Sequence, residues 1–212
     1  MKILTSVLSL FLFAFISSAQ IDLPFFELDN SVNIDVTAKS NGTFKSISIS
    51  ISNLSPQGSV IHFPLGGVFL NREESEQSLV VVDYDKINVP AYTVKTIEIE
   101  VACADADKKV PRKNRTTWDY AYDSKLRELL LFYYENRTLI EYMTGAHNHD
   151  TQIKRHNFLQ MCVWVYYGDD KEHITSFATN YIFDGDNDAA VAFVDVFYPM
   201  VSTFMELYKN ID

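Results

Sequence analysis

Two cysteines, seven glycines and six prolines are all that 212 residues contain. So few cysteines exclude a disulfide-dense miniprotein, and so little glycine and proline excludes collagen-like repeats and low-complexity linkers. Basic residues are scarce too: 18 Lys and Arg stand against 28 Asp and Glu, for a formal net charge of -10. A surface of that sign cannot release counterions from phosphate, which excludes nucleic acid and anionic lipid as partners. The chain also lacks GxSxG, Walker, GxGxxG, HExxH and paired CxxC motifs, so it reads as a non-enzyme. What is present, 47% hydrophobic and 14% aromatic residues, is enough for a sizeable globular core.

Met1 to Gln20 joins one positive charge, Lys2, to an apolar stretch from Ile3 to Ile16 and then to Ser17, Ser18 and Ala19. That three-part pattern reads as a secretory signal peptide over 1–19, with an ending that resembles bacterial ones. The apolar run is shorter than the about 20 residues a membrane span needs. Export to the periplasm, the cell surface or the medium is therefore expected. The later apolar stretch Ala189 to Leu207 is broken by Asp195 and Pro199, so no membrane insertion is expected after cleavage. Asn41, Asn53, Asn114 and Asn136 open N-glycosylation triplets, which matter only in a host that glycosylates exported proteins.

Beyond the signal the hydrophobic period changes once. Val32, Ile34 and Val36, then Ile47, Ile49 and Ile51, alternate with polar residues, and Asn41-Gly42 between them is a hairpin signal. Further strands are expected at Ser59 to Phe63, Val68 to Leu70, Leu79 to Asp83 and Lys95 to Cys103, with turns such as Pro64-Leu65-Gly66-Gly67. Residues 20–104 thus read as an antiparallel β-sandwich of Ig-like size. A polar connector, 105–118, leads to a helical half, 119–212. There Leu126, Leu129, Leu130, Tyr133 and Ile140 recur at helical spacing, with Asp123 or Ser124 as the first cap. Further helices are expected at Thr151 to Tyr167, Asp170 to Thr179 and Asp188 to Tyr208. The helix at Thr151 to Tyr167 is apolar on two sides, the mark of a buried central helix, although Met161 to Tyr167 also has strand propensity. The fold class is α+β, the helical half packed against the sandwich.

Four groups of residues can carry chemistry. Cys103 and Cys162, in an exported chain, can pair as a disulfide that joins the last strand to the central helix; Cys162 can equally be a small core residue. The run Leu159-Gln160-Met161-Cys162-Val163-Trp164 resembles the apolar-Gln-x-x-apolar-apolar segment of the thioester domains of bacterial surface proteins. Those domains also carry an upstream Cys with a Pro several residues later, here Cys103 and Pro111. The resemblance implies that Cys103 would be the thiol and Gln160 the acyl donor of an internal thioester, formed with loss of ammonia and opened by a nucleophile of the target. Asp184, Asp186 and Asp188 have the alternate spacing of a Ca²⁺ loop, but equally Gly185 can turn the chain and Asp188 cap the last helix. His147, His149 and His156 could present imidazoles to Zn²⁺ or Cu²⁺.

The expected function is a secreted or surface-associated, non-enzymatic binding or adhesion module for an extracellular protein or glycan. A covalent adhesion domain using Cys103 and Gln160, and a Ca²⁺-stabilised module, are the alternatives.

Overall fold

The computed structural model describes residues 21–24, 32–41, 44–83, 85–109, 118–145 and 151–211. The signal segment, Gly42, Pro111, Asn114, His147 and His149 lie outside them. The described chain is mixed α and β. Its strands are β1 (Ile21–Pro24), β2 (Val32–Asn41), β3 (Phe44–Asn53), β4 (Ser59–Phe63), β5 (Gly67–Asn71), β6 (Leu79–Val81), β7 (Asp85–Val89), β8 (Thr93–Cys103) and β9 (Trp118–Tyr122). They form a six-stranded antiparallel sheet of order β2-β3-β8-β6-β5-β9 and a three-stranded sheet of order β1-β4-β7. In the smaller sheet β1 runs parallel to β4, a departure from the purely antiparallel expectation.

Alternation along each strand decides which core it feeds. Ile47, Ile49 and Ile51 of β3, Leu79 and Val81 of β6, and Ile99, Val101 and Cys103 of β8 join Ile61, Phe63, Ile87 and Val89 of the smaller sheet in one buried cluster. The opposite pleat contributes Val80, Val82, Ala102 and Ala104 to a second cluster, which the helices complete. The helices cover only part of the larger sheet. On β3 the residues that alternate with the isoleucines, Ser46, Ser48 and Ser50, are half-buried, whereas Val101-Ala102-Cys103 of β8 is buried on both faces. A strand wetted on one face alternates; a strand covered on both does not.

The helical part holds α1 (Ser124–Glu135), α2 (Arg137–Thr144), α3 (Thr151–Tyr167), α4 (Lys171–Phe177), a π-helical turn (Ala178–Ile182) and α5 (Asn187–Lys209). Of the two candidate caps for α1, Asp123 is the one used: its carboxylate accepts from the amides of Lys125 and Leu126. The single helix expected through Ile140 is instead two, because the Asn136 side chain donates to the Phe132 carbonyl at 2.8 Å and competes with the helical ladder there. α3 is helical throughout, so the strand alternative for Met161 to Tyr167 does not occur. Phe158, Met161, Cys162, Val163 and Trp164 are all at most 1% exposed, and burial on every side satisfies residues of high strand propensity in a helix.

α5 is capped by Asp186, whose carboxylate accepts from the Ala189 amide, not by Asp188. Asp195 and Pro199 do not interrupt it: its 23 residues, with mean hydropathy 1.4 over its most apolar window, are long and apolar enough to cross a membrane by length and composition. Ala190, Val194, Phe197, Val201 and Phe204 of the same helix are buried in the protein, and Asp195 pairs with Lys171 at 2.6 Å.

Candidate functional site at the strand and helix seam

β8 and α3 meet along a seam where the two residues singled out by the thioester resemblance touch. The pairing of β3 with β8 ends at Lys45 and Val101, two residues before Cys103. Beyond it, the Gln160 carboxamide takes the position a neighbouring strand would occupy. Its Oε1 accepts from the Cys103 amide at 2.9 Å and its Nε2 donates to the Cys103 carbonyl at 2.7 Å. Along one edge a primary amide presents an N–H donor and a C=O acceptor side by side, the pattern that one strand residue's N–H and C=O present to a neighbouring strand, so it can extend a β ladder from a helix. The small side chains of Ala102 and Ala104 face the helices and let α3 come this close.

The same helix end holds the following residues. After Gly168 the Asp169 carboxylate accepts from the Ala106 amide at 2.8 Å, and burial pushes that carboxyl up from its ordinary range while the Ala106 bond pulls it down. Gln77 donates to the Lys108 carbonyl at 2.8 Å, and its own amide donates to the Lys109 carbonyl at 2.9 Å. The stretch from Cys103 to Lys109 is thereby anchored by side chains from α3, from the turn that follows it and from the segment before β6.

Cys103 and Cys162 are both buried and are not joined, which overturns the disulfide expectation. Their side chains belong to different clusters, Cys103 to the one shared with the smaller sheet and Cys162 to the one under the helices. A disulfide needs Cβ atoms about 3.5–4.5 Å apart, and the Cys103 side chain packs on the opposite pleat of β8 from the cluster that holds Cys162. Burial pushes the Cys162 thiol well up, which leaves it protonated and inert at neutral pH.

One helical turn before Gln160, His156 is 7% exposed and its Nδ1 lies 3.1 Å from Glu100 Oε1. That hydrogen bond holds the Glu100 carboxyl below the usual carboxylate range, partly offset by desolvation. The pair lines a pocket of about 220 Å³ between β8, the α1–α2 corner and α3. Tyr133 and Tyr134 form its aromatic wall, their hydroxyls donating to the carbonyls of Arg155 and Val82. Arg155 is tied to Glu141 at 2.9 Å, while the Arg137 guanidinium lies over the Tyr134 ring at 5.7 Å. Sequence reasoning missed this pocket. Glu100 looked like any polar residue on the wet face of a strand, and only the approach of α3 turns it into a half-buried wall.

The remaining candidates do not converge. Asp184 (φ 50) and Gly185 (φ 93) make the turn before α5, and Asp186 is committed to capping. Among the described residues no group of three or more His, Cys, Asp or Glu could hold a metal ion. The triplet at Asn53 is not a glycan acceptor in the folded chain, since Asn53 is fully buried and its amide donates to the carbonyls of Gln57, Val89 and Pro90. No protein-family model, curated protein or solved structure matches this chain.

Proposed function

We propose that the chain is an exported, non-enzymatic binding module for an extracellular protein or glycan. In this reading its N-terminal half is a β-sandwich, and the whole resembles the scaffold of thioester domains with the bond-forming step absent. The observation that carries it is the Gln160 carboxamide, engaged at both ends by the Cys103 main chain at 2.9 and 2.7 Å. An acyl donor must present its carbonyl carbon to the thiol and release its nitrogen as ammonia. Here that nitrogen closes a buried hydrogen bond, and the Cys103 side chain packs in the cluster shared with the smaller sheet. The sandwich reading is supported by that same cluster, which draws Ile47, Ile61, Phe63, Val81 and Val89 from both sheets.

Covalent adhesion is the second reading, and one observation favours it: residues 57 positions apart, Cys103 and Gln160, are in direct contact. In that case the Cys103 sulfur would bond to the Gln160 carbonyl carbon with loss of ammonia, and a target amine would then displace the thiol. Intact mass of the unreduced protein, before and after methylamine, separates the two. The binding-module reading expects the unaltered mass of the signal-cleaved chain with no methylamine gained; a mass lower by one ammonia that gains methylamine overturns it.

A further inference from the structure

The pocket beside the seam carries charges of both signs, and they are not all spent on each other. Glu100 is engaged by His156 at 3.1 Å and Arg155 by Glu141 at 2.9 Å. Two further lining residues, Asp83 and Arg137, make no salt bridge among the described residues, and both are exposed at the rim. Arg137 is the first residue of α2, where a cation opposes the helix dipole, so helix stability does not account for it. Its guanidinium is instead held over the Tyr134 ring, a stacking that pre-orients a fork of donors. Asp83 and Arg137, one of each sign, line the same pocket as the Tyr134 ring.

From this we propose that the pocket binds a small zwitterion, an α-amino acid. Its carboxylate meets Arg137, its ammonium meets Asp83, and its neutral side chain lies against Tyr133, Tyr134 and Leu159. A plain anion is disfavoured by Asp83 and Glu100 in the same wall, and a plain cation by Arg137 and Arg155. The size agrees: about 220 Å³ is below the roughly 300–1,000 Å³ of pockets for drug-sized ligands.

This inference deepens the binding-module reading by naming a ligand for it. Calorimetric titration of the signal-cleaved full chain with neutral L-amino acids, alanine to phenylalanine, tests it. Saturable binding by at least one is expected, and its N-acetyl and carboxamide derivatives, each lacking one charge, should bind about tenfold more weakly or worse. Arg137→Gln and Asp83→Asn should each cost a similar factor while leaving the melting temperature in place, since both side chains are exposed. No saturable binding up to about 10 mM, a concentration beyond even weak specific sites, overturns the proposal. So does binding that is indifferent to both substitutions or to both derivatives. Calorimetry reads Arg137 and Asp83 while the mass measurement reads Cys103 and Gln160, so the two readings fail separately.

Discussion

Gln160 illustrates how much one side chain can hold. Its carboxamide satisfies a buried amide and a buried carbonyl of Cys103, and truncation leaves both without partners. Gln160→Ala is expected to cost about 2–6 kcal/mol, at about 1–3 kcal/mol for each of the two orphaned groups, read from urea unfolding. Gln160→Glu keeps the shape but replaces the donor by a second acceptor facing the Cys103 carbonyl. It should therefore destabilise more at pH 7 than at pH 4, where the carboxyl can be protonated. Equal destabilisation at both pH values would argue that the carboxamide is not oriented as described.

Glu100 gives a pH dependence of defined sign. Its carboxyl is lowered in the folded chain, chiefly by the hydrogen bond from His156. Its stabilising contribution is thus complete above the ordinary glutamate value of about 4.3 and is lost as pH falls through the folded value. The melting-temperature gap between wild type and Glu100→Gln should be open at pH 6 and narrow as pH falls below the ordinary glutamate range. A gap constant across that range would remove His156 as the cause. Asp169 runs the other way, since its raised carboxyl makes ionisation subtract stability as pH rises through the ordinary aspartate value.

At the scale of elements, the junctions are tighter than the elements are long. The Pro64-Leu65-Gly66-Gly67 turn abuts the start of α1: Gly66 has φ +81, and a Cβ there would lie 2.5 Å from the Asp123 carbonyl oxygen. The Asp123 amide in turn donates to the Gly66 carbonyl at 2.9 Å, and the Asp123 carboxylate caps α1 and accepts from the Tyr166 hydroxyl. Gly66→Ala combines left-handed strain with a main-chain clash and should cost about 2–4 kcal/mol by thermal or urea unfolding. A near-neutral result would mean that turn and helix are not in contact. The turn dipeptide was legible in the sequence, but its partner, the first turn of a helix more than 50 residues later, was not.

The same limit explains the strands that periodicity missed. β7, Asp85–Val89, has two buried apolar positions, Ile87 and Val89, too few to establish a period. β9, Trp118–Tyr122, alternates aromatic with polar or small residues at the head of the stretch assigned to the helical half, yet it pairs with β5 as the edge of the larger sheet. In both cases a partner strand supplies the ladder that local sequence could not announce. Helix caps were better marked, because a cap is satisfied within three residues. Even so, Asp186 rather than Asp188 was chosen by where the turn at Asp184 and Gly185 ends.

For the whole molecule, the larger sheet is shared property. One pleat belongs to the cluster with the smaller sheet, the other to the helical cluster, and β8 contributes to both. The spacing between sheet and helices is set by alanine: Ala102 is fully buried and faces α3. Ala102→Leu should overpack this layer, costing about 1–3 kcal/mol, and should also weaken the Gln160 bonds by lifting α3 away. Double-mutant analysis with Gln160→Ala checks this: the two costs should be less than additive, because the second change removes bonds already strained. Strict additivity would place the two residues in independent layers.

The sequence by itself determined the change from period two to helical period, most strand positions between Val32 and Cys103, the extent of α3 and α5, and the acidic surface. Each of these depends on neighbours within a few residues. Tertiary structure alone decided that Cys103 and Cys162 face different cores, that Gln160 serves as a surrogate strand, and that Glu100, Asp83 and Arg137 share a pocket. These are contacts across tens of residues, and their identity depends on which pleat or helix face each residue occupies. Hydrophobic pattern states that a face is buried, but not against what.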